Sequence, residues 1–329
     1  MSKVRIGLLR LVDSAPVLLA AERGLFAAQG IHADLSIEPS WANIADKLTY
    51  GLLDAAVMLP PLAIACARGL RGVKVSLAVP MGLSLGGNSI VLAGPVAAAV
   101  GADADPMALG RRLVAWMRAQ AEPPRFAVVH AFSTHHLLLR AWLAGCGADL
   151  RRDLRIVSVP PEMSVQAISE GGMAGFCAGA PWGTVAEELS AGVVVLGSSA
   201  IWPLHPEKCL AVRLPWAEAD SSRLSNLLRA LLRSARMCDD PAESGAIASL
   251  LSGPGLGLSR TACRAALPGG AGPERITFHA HGAWMARRTH ERWFVSQMRH
   301  WGWLGACEGG PPLYRPDLLE PAAAAEGLA

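Results

Sequence analysis

The feature that most constrains this chain is an alternation of strand and helix signals that runs, halts near Pro95 and then starts again. The first run reads Val4–Leu9 as strand, Pro16–Gln29 as helix, Ala33–Ile37 as strand, Trp41–Tyr50 as helix, Ala55–Leu59 as strand and Pro60–Arg68 as helix. Strands at Val73–Val79 and Ser89–Ala93 close it. The second run has helices at Met107–Gln120, Ser133–Ala144, Pro160–Ser169 and Pro181–Ala191. Its strands fall at Arg125–His130, Leu154–Ser158, Gly175–Ala178 and Gly192–Gly197. Such a rhythm predicts mostly parallel sheets with helices on both faces. Two successive units predict two lobes with a cleft between them, and Ile201–Pro215 reads as the return to the first lobe. The division expected is residues 1–94 with 201–307 as one lobe, 95–200 as the second, and 308–329 as a flexible tail.

Other features bound the function. The chain has 329 residues, enough for two ordinary domains. Lys and Arg exceed Asp and Glu by only three, without a basic stripe, so direct nucleic-acid binding is not expected. No run of about twenty uncharged apolar residues occurs, so no membrane span is expected. The opening MSKVRIGLLRLVDSAPVLLAAERGLF reads as strand and helix, with Asp13 and Ser14 as a cap, and not as a secretory peptide. Seven widely spaced cysteines contain no C-x-x-C pair and read as buried thiols. Together these features lead to the expectation of a cytoplasmic protein.

Enzyme motifs are missing: there is no G-x-G-x-x-G turn, Walker lysine loop, G-x-S-x-G elbow or H-E-x-x-H. No cofactor, metal or catalytic residue is therefore expected. His279-Ala280-His281 has no further ligand at metal-binding spacing and reads as a surface loop, and Asp239-Asp240 reads as a capping pair.

Four positions suit a small anion instead. Ser40 is placed to cap a helix that begins with Trp41, where free amides and an indole N–H meet. A tryptophan at such a place more often packs. Ser133 caps a second helix whose first turn holds His135, at the carboxyl end of a strand, where α/β sheets bind ligands. Asn88 ends the turn Ser84-Leu85-Gly86-Gly87-Asn88, which serves equally well as a turn and nothing more. Lys208, in His205-Pro206-Glu207-Lys208, lies in the return segment and is the best-placed cation for a desolvated anion. A lone lysine is otherwise usually solvated.

Taken in order, EPSWANIADKL, LLDAAVMLPPLA, SLGGNSI, FSTHHLLLRAWLAGCG, GFCAGAPWG, IWPLHPEKCL and WFVSQMRHWGW resemble the nitrate-binding proteins of the nitrate/bicarbonate transporter family over nearly the whole chain. The resemblance implies an α/β, two-lobed periplasmic-binding-protein-like clamp of type II. It also implies that Trp41, Asn88, His135 and Lys208 contact nitrate or nitrite between the lobes. Where transport members read G-E-P-W-N, this chain has Gly179-Ala180-Pro181-Trp182-Gly183. That variant resembles the cytoplasmic nitrate/nitrite sensor of assimilation operons, which implies an ANTAR-type RNA-binding antiterminator as protein partner. The alternative is the solute-binding subunit of a nitrate, bicarbonate or sulfonate transporter.

Overall fold

The computed structural model describes residues 2–103, 105–305 and 310–328. Two five-stranded sheets organise it. The first contains β1 (Ser2–Leu8), β2 (Ile31–Ile37), β3 (Ala55–Met58), β4 (Leu77–Gly82) and β11 (Cys209–Arg213) in the order β2-β1-β3-β11-β4. The second contains β6 (Asn88–Ala93), β7 (Arg125–Val128), β8 (Arg155–Ser158), β9 (Gly175–Gly179) and β10 (Gly192–Gly197) in the order β10-β6-β9-β7-β8. Strands β2, β1 and β3 are parallel, as are β8, β7 and β9. In each sheet one antiparallel strand lies between this parallel set and the edge strand, β11 between β3 and β4 in the first and β6 between β9 and β10 in the second. The sheets are thus mixed: four strands of each run in one direction, as a mostly parallel sheet requires, and one runs against them. Periodicity reports that a strand is buried on both faces but not the direction in which it runs.

The two antiparallel strands are the ones that follow the chain's crossings between lobes. Strand β6 pairs with β9 and β10 of the second sheet. The first crossing therefore lies in residues 83–87, ahead of Ser89–Ala93, and not after Gly94 as the sequence division has it. Within it the short β5 (Leu85–Gly86) pairs with β12 (Ile276–Thr277). Gly86 and Gly87 have φ of 69° and 89°, a region that favours glycine, and a β-carbon on Gly87 would collide with Ile276.

Helices cover the sheets through apolar stripes. The Ser221–Cys238 helix buries Leu224, Leu227, Leu228, Leu231, Leu232, Ala235 and Cys238, an i, i+3, i+4, i+7 spacing, and packs on the Ala15–Glu22 helix. Each such leucine contributes roughly 1.5–3 kcal/mol relative to exposure. Six cysteines are free and buried; Cys307 lies outside the described residues. No described helix is long and apolar enough to cross a membrane.

The C-terminal segment departs from expectation. Residues 308, 309 and 329 lie outside the described residues, but the rest is docked and not a free tail. Tyr314 bridges in parallel to Val79 of the edge strand β4, and the Leu313 and Tyr314 amides donate to Glu291 at 2.9 and 3.0 Å. The Glu320–Ala325 helix buries Ala322 and Ala323, and Glu326 accepts from Arg229 and Arg233 at 2.9 and 2.7 Å. The Pro and Ala composition that suggested mobility conceals backbone pairing that covers a sheet edge. Asp239 also does more than cap: its carboxylate accepts from the Phe278, His279 and Ala280 amides at 2.7–2.8 Å and fixes the His279–His281 loop.

Candidate functional site

Each lobe presents a capped helix to the space between the sheets. Ser40 is extended (φ −157°) and its Oγ accepts from Asn43 N at 3.2 Å, which starts the Trp41–Thr49 helix after β2. Trp41 is 1% exposed, and its indole N–H has no hydrogen-bond partner among the described residues. In the second lobe Ser133 Oγ accepts from His136 N at 3.1 Å and starts the Thr134–Gly145 helix after β7. Thr134 Oγ1 and both ring nitrogens of His135 are buried without a partner there.

The crossings supply the remaining groups. Asn88 opens β6, and Lys208 immediately precedes β11. The two connections lie side by side: Glu207 N donates to Ser84 O at 3.0 Å, Lys208 N to Ser84 Oγ at 3.2 Å, and Leu83 N to Lys208 O at 2.8 Å. This pairing brings residues more than a hundred positions apart into one buried cluster.

Lys208 is at its centre. Its Nζ lies 2.7 Å from Asp13 Oδ2, 2.7 Å from Glu207 Oε1 and 5.5 Å from the centroid of the Trp41 ring, within cation–π range. Glu207 Oε2 accepts from Asn88 Nδ2 at 2.8 Å. His135 Nε2 stands 3.6 Å from Glu207 Oε1 and His205 Nδ1 3.7 Å from Glu207 Oε2, while His205 Nε2 is 2.8 Å from Ser198 Oγ. All four residues expected from sequence are therefore brought together. Lys208 is not a solitary cation, however; it is shared by two carboxylates.

Burial and charge act against each other here. Burial pushes the Glu207 carboxyl up, yet Lys208 and the neighbouring imidazoles outweigh it and hold it at about 2. Burial also raises Asp13, and there Lys208 does not offset it. One ammonium serves both carboxylates, and Glu207 has the Asn88 amide and two imidazoles besides. Burial pushes His135 down to about 3 and lowers His205, so both imidazoles are neutral near pH 7. The Cys177 and Cys209 thiols flanking the cluster are raised by burial and stay protonated.

A small gap lies over Gly179, at the end of β9. A β-carbon there would stand 3.4 Å from Asn88 Oδ1, 3.6 Å from His135 Nε2 and 3.7 Å from Asp13 Oδ2, which are ordinary contacts. The indole N–H of Trp41, an N–H of His135 and the Lys208 ammonium supply donors to this cluster. Such a set suits an oxyanion whose oxygens accept from several directions. Among the described residues, no group of His, Cys, Asp and Glu could hold a metal ion.

Another buried carboxylate joins the lobes nearby. Glu274, from the Gly- and Pro-rich segment, accepts from Ser89 Oγ at 2.6 Å, Gly183 N at 3.0 Å, and Thr184 N and Oγ1 at 3.1 Å each. A β-carbon on Gly183 would overlap Ser89 Oγ and this carboxylate. Glycine at the end of G-A-P-W-G is therefore required by Glu274, whereas Ala180 is buried, its N–H donating to Gly87 O at 2.8 Å and its carbonyl accepting from Val12 N at 3.0 Å. Sequence reasoning missed Asp13, Thr134, Glu207, His205 and Glu274. Glu207 and His205 stood in the quoted IWPLHPEKCL and were legible as polar residues flanking Lys208, while nothing local marks Glu274.

The fold and sequence have clear relatives. A solved structure of the periplasmic nitrate-binding protein NrtA from Synechocystis superposes with a TM-score of 0.89 at 23% identity, covering 100% of this chain and 90% of that one. The nitrate/nitrite binding protein NrtA of Synechococcus elongatus is 28% identical over 98% of this chain and 78% of its own length. The nitrate import ATP-binding protein NrtC of Synechocystis is 33% identical over 71% of this chain, which spans only 35% of that protein. A family model described as the NMT1-like family matches residues 1–252. With a type II periplasmic-binding-protein fold and a family match over most of its length, this chain belongs to the NMT1-like family.

Proposed function

We propose that the chain is the solute-recognition component of a nitrate- or bicarbonate-type uptake system, binding nitrate or nitrite between its lobes. One observation carries the reading: Lys208, Trp41, His135 and Asn88, delivered by both lobes and both crossings, form one buried cluster beside a gap lined by Asn88 and His135, in which the Trp41 indole N–H and the His135 ring lack a hydrogen-bond partner among the described residues. Relatives named as nitrate/nitrite binding and bicarbonate transport proteins support it. A buried monovalent oxyanion gains charge-assisted hydrogen bonds, and a cluster whose one ammonium is already shared by two carboxylates tolerates one added negative charge better than two. Calorimetry is expected to give tighter binding for nitrate and nitrite than for sulfate. Gly179→Ala places a methyl group in the gap at ordinary contact distance and is expected to abolish binding while thermal unfolding stays unchanged. Tighter binding of sulfate or a sulfonate, or full nitrate affinity in Gly179→Ala, would overturn the assignment.

A second reading starts from the G-A-P-W-G variant, where Ala180 and Gly183 stand in place of the Glu and Asn expected of transport members. In that reading the chain is a cytoplasmic nitrate/nitrite sensor that holds an ANTAR-type antiterminator until the anion favours the closed clamp. Ligand and partner must then weaken each other by the same factor. Size-exclusion chromatography with and without nitrate separates the readings: a complex that nitrate dissolves means sensor, and no complex means uptake.

A further inference from the structure

We infer that the species held in the cleft is the anion together with one proton, and that Asp13 is a ligand that donates this proton to the anion from its Oδ1. The inference rests on the oxyanion reading above. Its first support is the charge count. Lys208 contributes one positive charge, while Asp13 and Glu207 contribute one negative charge each when ionised. All three are at most 2% exposed. The other titratable groups facing the cluster are His135 on the second-lobe helix, His205 on the return segment, and the thiols Cys177 on β9 and Cys209 on β11. None of these brings a positive charge near neutral pH. The buried cluster therefore carries a surplus of one negative charge before any anion arrives, and a monovalent anion alone would double it. An uncompensated charge in a water-excluded site is strongly disfavoured, and taking up a proton is the usual remedy.

Geometry selects the atom. Both Glu207 oxygens already accept hydrogen bonds, Oε1 from Lys208 and Oε2 from Asn88. A proton on either would displace a donor. Asp13 uses only Oδ2, toward Lys208; its Oδ1 is buried with no partner among the described residues. The same carboxylate borders the gap over Gly179 through Oδ2, 3.7 Å from a β-carbon placed there, so the group as a whole stands beside it. Burial raises Asp13 in the same direction. An O–H bond forms at Asp13 Oδ1 with a proton taken from solvent, and no bond of the anion breaks. The group changes from an acceptor that repels an oxyanion to a donor that holds it. When the cleft opens and Asp13 meets water, the proton is released with the anion.

The sign follows from linkage. Anion binding draws in a proton, so affinity falls as pH rises, approaching tenfold per pH unit above the pKa of Asp13 in the unliganded protein. The test is isothermal calorimetry of sodium nitrate binding between pH 6 and 9, in pairs of buffers with different protonation enthalpies. The expected result is proton uptake that rises toward one per ion at the alkaline end. Asp13→Asn, whose amide donates without a proton from solvent, is expected to bind nitrate with a flat pH profile and no uptake. Nitrate binding by the parent with no proton uptake anywhere in this range would overturn the inference. Retention of the parent's full uptake by Asp13→Asn would overturn the role given to Asp13. Should that variant not fold, the parent's buffer series decides alone. No binding of nitrate or nitrite under any condition would sink the oxyanion reading and this inference with it.

Discussion

Glu207, in the second crossing, and Glu274, in the segment after it, are both buried, both reach toward the second sheet, and both accept hydrogen bonds from β6. Their surroundings are opposite. Glu207 touches an ammonium and faces two imidazoles, and its pKa is held at about 2. Glu274 accepts only from two hydroxyls and two backbone amides, and burial raises its pKa. A carboxylate tied to charges belongs to an ion-reading network. One tied to neutral donors on the facing lobe is a pin that holds the closed clamp in register.

The comparison is broken most severely at Lys208. Lys208→Ala is expected to abolish nitrate binding, and also to cost about 3–5 kcal/mol of folding stability, because two buried carboxylates lose their shared cation. Urea midpoints check the second part. Unchanged stability would mean that the carboxylates find water or protons at little cost, and the charge network would then be incidental.

Acid distinguishes the clusters next. His135 and His205 are neutral in the fold but take protons in the unfolded chain below about pH 6.5. A depressed histidine gives stability that is present above the unfolded value and lost as pH falls through the range between the two. By pH 5 the loss approaches about 2 kcal/mol for His135, whose folded value is about 3, and His205 adds a loss of the same sign. Glu274 has the opposite sign, since its raised pKa means that protonation relieves the fold. Urea titrations of the parent and of His135→Ala between pH 7 and 5 should show a shallower slope for the variant. Equal slopes would place the acid sensitivity elsewhere.

The smallest expected effects are at Glu274. Glu274→Ala leaves the Gly183 and Thr184 amides without their acceptor and should cost about 1–3 kcal/mol. Small-angle scattering should show a larger radius of gyration without nitrate. Glu274→Gln keeps one acceptor oxygen and should cost less than about 1 kcal/mol, whereas Glu207→Gln should weaken the Lys208 network and nitrate binding together. If Glu274→Gln proved as damaging as Glu207→Gln, the distinction between pin and network would be lost.

Much of this was legible in sequence, for reasons that also mark the limit. Strand and helix periods located nearly every element, and Ser40 and Ser133 announced their helices because capping is a local event. Trp41 and His135 were then placed by their caps, and Asn88 and Lys208 by motif and resemblance. Asp13 was legible only as a cap residue, because its partner stands 195 positions away. Glu274 lay in a loop rich in Gly and Pro, where composition reports turns and not what a side chain reaches. The C-terminal segment looked mobile because its docking depends on backbone pairing with β4, to which side-chain composition is blind.

The place of β11 has a consequence for the order in which the chain is made. Strands β3 and β4 do not pair with each other; β11 lies between them and supplies every ladder bond that β4 makes within its sheet. A ribosome delivers β4 by residue 82 and β11 only after residue 208, so the whole second sheet emerges in between. Until then the nascent first lobe carries a slot with two unpaired strand edges, the kind of surface that invites pairing with other chains. The second lobe has all its strands within residues 88–197 and can close at once. The lobe begun first is therefore the lobe finished last, and its exposed slot is where a chaperone would have to wait.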